Sequence, residues 1–441
     1  MDESFLRDLF ECATEDEPPM GRVAHNSLLA GLRLRRHRRT QAAVSCAAVV
    51  AVLGAGIPLA VGSAGRTAGL AAAAQPQWLG PAVYVVNSHP VWGTGRNKDK
   101  EVPATVTPIS IAPGRAGTPI TVGYGPSNLV VTPNRKTVYV ANYGGDTVTP
   151  ITAASNLPGK PIKVGRNPLG LAITPNGKTV YAVNTTSGTV TPISTATNTA
   201  RRPIKVGLSP DEIAMAPDGK TVYVANGASN TVTPISTVTN TASAPIRTGP
   251  GPVPGHVDTT IPKIFPDELA ITPNGRTLYV TMANSRRVLP ISTVTGQVGP
   301  AIEVGRQPTS LNITANGKTL YVSSDSKTKA VTPVSTATNT AGPAISLGSG
   351  AEVALLSQNG KTLYVATDGD TVVPISTATN TPGTPIKIGA GADAMALSPG
   401  GRVLYVVNQL SDNVTAIRTA TNRPGAPIKV GQVPVAIGVA G

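Results

Sequence analysis

Cysteine is nearly missing from these 441 residues: Cys12 and Cys46 are the only two. Both precede residue 50, so the rest of the chain can hold neither a disulfide framework nor a thiolate metal site. Of the 4 histidines, only His89 and His256 lie beyond residue 40. That excludes copper centres built from several imidazoles, and no Cys-x-x-Cys-His haem attachment is present. Aromatic residues make up 3% and charged residues 14%, which leaves few platforms for stacking nucleic-acid bases.

What the chain has instead is 46 Gly and 41 Pro. This density of turn formers, with few strong helix formers after about residue 70, points to an all-β protein. The formal net charge is +14. The first 40 residues balance seven Arg against seven acids, so the excess belongs to the remainder of the chain.

Residues 42–61 are apolar apart from Ser45, about the ~20 residues that cross a bilayer as a helix. Arg33, Arg35, Arg36, His37, Arg38 and Arg39 precede this run and only Arg66 follows closely, a bias that keeps the N-terminal side cytosolic. The reading is a single-pass membrane protein with four parts: a cytosolic head (1–40) carrying two short amphipathic helices, a transmembrane helix (41–62), a linker (63–81) and an extracytoplasmic domain (82–441). A cleaved signal peptide with secretion, or a buried helix, are the alternatives. Against cleavage, a 40-residue head with seven acids differs from the short basic start of a signal.

The domain is a repeat. Tyrosines recur at Tyr84, Tyr139, Tyr181, Tyr223, Tyr279, Tyr321, Tyr364 and Tyr405, a period of about 42 residues. One unit, residues 168–207, holds four short apolar runs separated by turn chemistry. Pro175-Asn176-Gly177 suits a hairpin between the first two, strands A and B. Asn184 to Gly188 turns into strand C, and a Thr/Asn-rich loop leads to strand D. The first unit lacks strand A, while the chain ends with Pro434-Val-Ala-Ile-Gly-Val439, a strand A without its blade. The two ends therefore complete one blade, giving a monomeric β-propeller of eight four-stranded blades, with seven as the alternative count. Proline recurs inside strand C, as at Pro108, Pro150 and Pro192, where a bulge is expected.

Tyr139-Val-Ala-Asn142, Tyr223-Val-Ala-Asn226 and the Pro-Asn-Gly-Lys hairpins resemble the YVTN-repeat β-propeller family over residues 82–441. Met282, Ser324 and Thr367 depart from the final Asn. The resemblance implies a surface or periplasmic propeller and leaves the ligand open.

Candidate sites lie where the repeat is broken. Insertions near residues 88–103, between strands B and C, and near 249–263, between D and A, carry His89, Trp92, His256 and Asp258. On the same face, the position two after the strand-A proline or its equivalent reads Asn128, Gly170, Glu212, Glu268, Ser310, Glu352, Asp393 and Ala436. This ring at the channel mouth supplies oxygens for a hard cation such as Ca²⁺, with Glu212, Glu268, Glu352 and Asp393 as the ligands, or for a cationic or polyhydroxylated ligand. Solvated surface accounts for the same acids. Tyrosines at one per blade read as core between blades, with the motif Asn capping the adjoining turn. No nucleophile or triad stands out.

The opposite face carries Arg135, Lys136, Lys178, Lys220, Arg276, Lys318, Lys361 and Arg402 on the A to B hairpins, with Lys160, Arg201 and Arg202 beside them. It suits an anionic envelope polymer or lipid headgroups, with nucleic acid disfavoured. Taken together, the features describe an anchored binding or scaffold module for a protein or envelope polymer. The rival is a metal-dependent hydrolase or lactonase using the acidic ring.

Overall fold

Valine-rich runs such as Thr137–Asn142 are apolar at four successive positions, Val138 to Ala141, so they must be covered on both faces. Stacking sheets radially around an axis does this. The computed structural model describes residues 82–88, 104–111, 114–249, 264–326 and 330–440. The head, transmembrane helix and linker expected at residues 1–81 lie outside these. Among the described residues no helix is long and apolar enough to cross a membrane.

The described chain forms eight antiparallel sheets. In the third blade, strand A is Pro168–Ile173, B is Thr179–Asn184, C is Thr189–Ser194, and D is split into Thr199–Ala200 and Ile204–Lys205. In the first, Ala82–Asn87 pairs on one side with Thr105–Ser110 and on the other with Pro434–Ala440. The last strand of the chain is thus strand A of the first blade. The count is eight, and the ring closes through a shared sheet that leaves no open inner edge.

Each strand B alternates between neighbours. Tyr139 and Ala141 pack on Leu171, Val180, Ala182 and Ile193 of the next blade, while Val138 and Val140 join Tyr84 and Val86 of the preceding one. The tyrosines are therefore core between blades, as their spacing indicates. Their hydroxyls reach further: Tyr139 donates to Asn198 Oδ1 at 2.6 Å and Tyr181 to Asn240 Oδ1 at 2.8 Å, each acceptor lying on the next blade. Asn198 and Asn240 sit in the left-handed region, at φ 52° and 55°, which Asn tolerates better than most residues. One residue thus makes the C to D turn and anchors the preceding blade.

The motif Asn caps as expected. Asn184 Nδ2 donates to the hydroxyls of Thr189 and Thr191 at 3.1 and 2.8 Å. Gly165 packs against it so closely that a Cβ would come within 2.7 Å.

The bulge expected in strand C is not there. The B to C ladder runs unbroken from Thr179↔Ser194 to Asn184↔Thr189 through Tyr181↔Pro192. A strand residue turns its N–H and C=O to the same side, and Pro192 O accepts from Arg201 N in the D region at 2.8 Å. The donor that proline lacks therefore faces strand D, at the place where D is interrupted. The register shift falls between strands A and B instead, as between Ala182 and Asn184.

The A to B hairpins repeat one geometry. Asn176 Oδ1 accepts from Lys178 N at 3.0 Å and from Thr174 Oγ1 at 2.7 Å, with Gly177 at φ 69°. A Cβ on Gly219 of the next hairpin would lie 2.7 Å from Pro175 Cδ. Neighbouring hairpin tips are therefore in contact around the axis.

Candidate functional site

Strand A is the innermost of each blade, and its first residues line one mouth of the channel. The shift that follows them is a β-bulge, in which two residues oppose one on the partner strand. In the fourth blade Pro210 pairs with Asn226 and Glu212 with Ala225, leaving Asp211 as the extra residue. The equivalents are Ser127, Thr309, Glu352 and Asp393. In the fifth blade both Asp267 and Glu268 fall in the gap between Pro266 and Leu269.

This register corrects the ring expected from sequence. Asn128, Glu212, Glu268 and Ser310 occupy the second position after the strand-A start. Glu352 and Asp393 occupy the first, because Ala351 and Ala392 take the place of the proline in their pairing with Thr367 and Asn408. Counting along the sequence passed over Asp211 and Asp267. The repeated Pro-Asp-Glu at 210–212 and 266–268 was the signal available for them.

The first position turns toward the next blade. Ser127 Oγ donates to Pro168 O at 3.0 Å and to Leu169 O at 3.2 Å, and Thr309 Oγ1 donates to Ala351 O at 2.8 Å. Each hydroxyl staples two blades. Asp211 takes this place with a carboxyl, which has no proton to donate once ionised. It is buried, and its Oδ1 accepts from Glu212 N at 3.0 Å. Burial holds the Asp211 carboxyl well above the usual carboxylate range, and the negative charges of Asp267 and Glu212 add to the effect. Desolvation and like charge both disfavour the ionised form.

The acids occupy an arc of the mouth. Asp211, Glu212, Asp267 and Glu268 come from two adjacent blades, Thr309 and Ser310 from the next, then Glu352 and Asp393. The first three blades contribute Val435, Ala436, Ser127, Asn128, Leu169 and Gly170. Other acids on this face serve the turns: Asp146 and Asp412, both at positive φ, accept from Asn167 N and Val433 N at 2.8 Å. Among the described residues no group of three or more His, Cys, Asp or Glu side chains that could hold a metal ion is found.

His89, Trp92, His256 and Asp258 lie outside the described residues. Their flanks, Ser88 and Ala104 for one insertion and Gly249 and Ile264 for the other, belong to loops of the mouth face. The hairpin cations of the opposite face are exposed. A groove of about 450 Å³ between the outer strands of the second and third blades, lined by Lys160, Lys163 and Asn198, sits on the rim away from the mouth.

These features define an eight-bladed β-propeller with an acidic mouth. No family model and no curated protein matches the chain, so the YVTN resemblance rests on the residues quoted above. Solved structures do match. A hydrazine synthase of Kuenenia stuttgartiensis aligns at TM-score 0.54 and 23% identity over 67% of this chain and 96% of its own. The dihydro-heme d1 dehydrogenase NirN, in complex with DHE, aligns at 0.64 and 13% over 81% and 74%. A functionally unknown protein from Desulfotomaculum acetoxidans DSM 771 aligns at 0.51 and 15% over 82% and 99%. At these identities the likeness is one of fold.

Proposed function

We propose that the chain is a membrane-anchored, extracytoplasmic binding or scaffold module whose acidic channel mouth takes cationic groups of a protein or envelope polymer. The anchor is residues 42–61, with the N-terminus cytosolic. The observation that carries the reading is Asp211: a buried carboxyl beside Glu212 and Asp267 of the neighbouring blade, at a position where Ser127 and Thr309 make an uncomplicated staple. A structural role would be met better by a hydroxyl. A cationic partner compensates the crowded negative charge that the fold alone leaves costly. Ser88, Ala104, Gly249 and Ile264, which flank the insertions bearing His89, Trp92, His256 and Asp258, lie on the mouth face, and the insertions would add contacts there.

A metal-dependent hydrolase or lactonase would need a gathered ligand set and a base or nucleophile beside it. The test is the melting temperature of the full chain with an oligolysine peptide, and separately with Ca²⁺ followed by chelator. A ligand that binds only the native state raises the transition by mass action. The expected result is a rise with the peptide at low salt that disappears when Asp211, Glu212, Asp267 and Glu268 are changed together to Asn or Gln. A rise with Ca²⁺ alone would restore the metal reading. No shift with either would remove the mouth as the binding site.

A further inference from the structure

The hairpin face differs from the mouth face in three respects. It is cationic: each hairpin from the second blade to the eighth carries Lys or Arg, and of the described acids only Asp218 stands among them. It also presents the most exposed large apolar side chains of the described chain, Val294 at 81%, Val238 at 77% and Leu157 at 65%, on the C to D side of the blades. Finally, it is where the chain joins the propeller. Ala82 pairs with Ser110 as Thr179 pairs with Ser194, so Ala82 holds the place that elsewhere directly follows the hairpin lysine. The first blade has no hairpin, and its first described strand begins at Ala82 on this face.

We infer that the hairpin face docks on the anionic headgroup surface of the bilayer that holds the chain's own anchor, an inference that rests on residues 42–61 being that anchor. A linker of about 20 residues reaches at most ~65 Å fully extended, so the face from which it emerges is the one kept near the membrane. Cations attract anionic headgroups within a Debye length of the surface. Exposed valines and leucine among cations match an interfacial contact, where apolar side chains enter the headgroup boundary. A soluble polyanion would use the charge and leave the valines unused. With this face down, the acidic mouth points away from the membrane, and like charge keeps the mouth from docking in its place.

The experiment uses the full chain with Cys12→Ser and Cys46→Ser, and a fluorophore on Ala315→Cys at a hairpin tip or on Gly369→Cys at the mouth face. Vesicles are phosphatidylcholine, with or without phosphatidylglycerol, and carry a headgroup quencher. The expected result is quenching at Ala315→Cys several-fold stronger than at Gly369→Cys in the anionic vesicles. That difference should be lost in high salt and when the hairpin cations are changed to Gln. Equal quenching of the two probes, or quenching indifferent to lipid charge and to the Gln variant, overturns the docking. Flotation with pure phosphatidylcholine tests the anchor separately. If it fails, flotation with anionic vesicles by the parent and not by the Gln variant upholds docking without the anchor, and flotation by neither overturns it.

Discussion

Asn198 makes its turn with a left-handed backbone, and its side chain receives the Tyr139 hydroxyl from the blade before. The same pairing recurs from Tyr84 to Asn156 at 2.6 Å and from Tyr279 to Asn339 at 2.6 Å. The chain contains its own controls, because Gly296 and Gly114 stand where two blades would place this Asn, both at positive φ. The turn survives there without the acceptor, and Tyr223 bonds the Thr293 side chain instead. Asn198→Gly should therefore preserve the turn and lose only the bond between blades. A double-mutant cycle with Tyr139→Phe, read by denaturant unfolding, should give a coupling of about 1 kcal/mol, the net worth of a partly buried hydrogen bond. Additive effects would show that the pair is geometric coincidence.

Strand C shows how an element can hold a residue that propensity argues against. In seven blades the outward-facing position is proline, and in the eighth it is Ala416, where Gly425 N still reaches Ala416 O at 2.7 Å and strand D is still split. The split therefore belongs to the blade and makes room for proline, rather than being caused by it. Ala416→Pro should be neutral or stabilise by about 0.5 kcal/mol, through a less flexible unfolded chain. A loss of more than about 2 kcal/mol would mean that the Ala416 N–H has a structural task. The same logic separates what was legible in sequence from what was not. Tyrosine spacing and the complementary chain ends announced eight blades, because both report residue type directly. The bulge at the start of strand A is a hydrogen-bonding event that no residue type marks. Counting two residues on from the expected strand-A start therefore falls at the second position of the pairing for Glu212 and at the first for Glu352 and Asp393, and passes over Asp211 and Asp267.

At the scale of the whole molecule, the ring makes neighbours of residues that are distant in sequence, and two consequences can be measured. The eight repeat tyrosines bury their phenols between blades, and burial raises all of them, Tyr84 to about 12. A raised folded value favours the neutral phenol. Its contribution to stability is complete below about pH 10 and is lost as pH climbs through the folded values toward 12. Spectrophotometric titration followed alongside circular dichroism should show these tyrosines ionising together with loss of the fold. Ionisation of these eight at pH 10 with the dichroism unchanged would contradict their burial. The second consequence is electrostatic: burial and the like charge of Asp267 across the seam disfavour an ionised Asp211 once the blades are assembled, so ionising this part of the mouth costs stability. The decisive measurement is the melting temperature at neutral pH, without ligand, of the full chain and of Asp211→Asn. A higher transition for the variant, with the gap closing as pH falls through the carboxylate range, is the result expected of a mouth held charged for a cationic partner. A transition equal to or below that of the parent chain would show that the Asp211 carboxyl serves the fold itself, and would contradict the account.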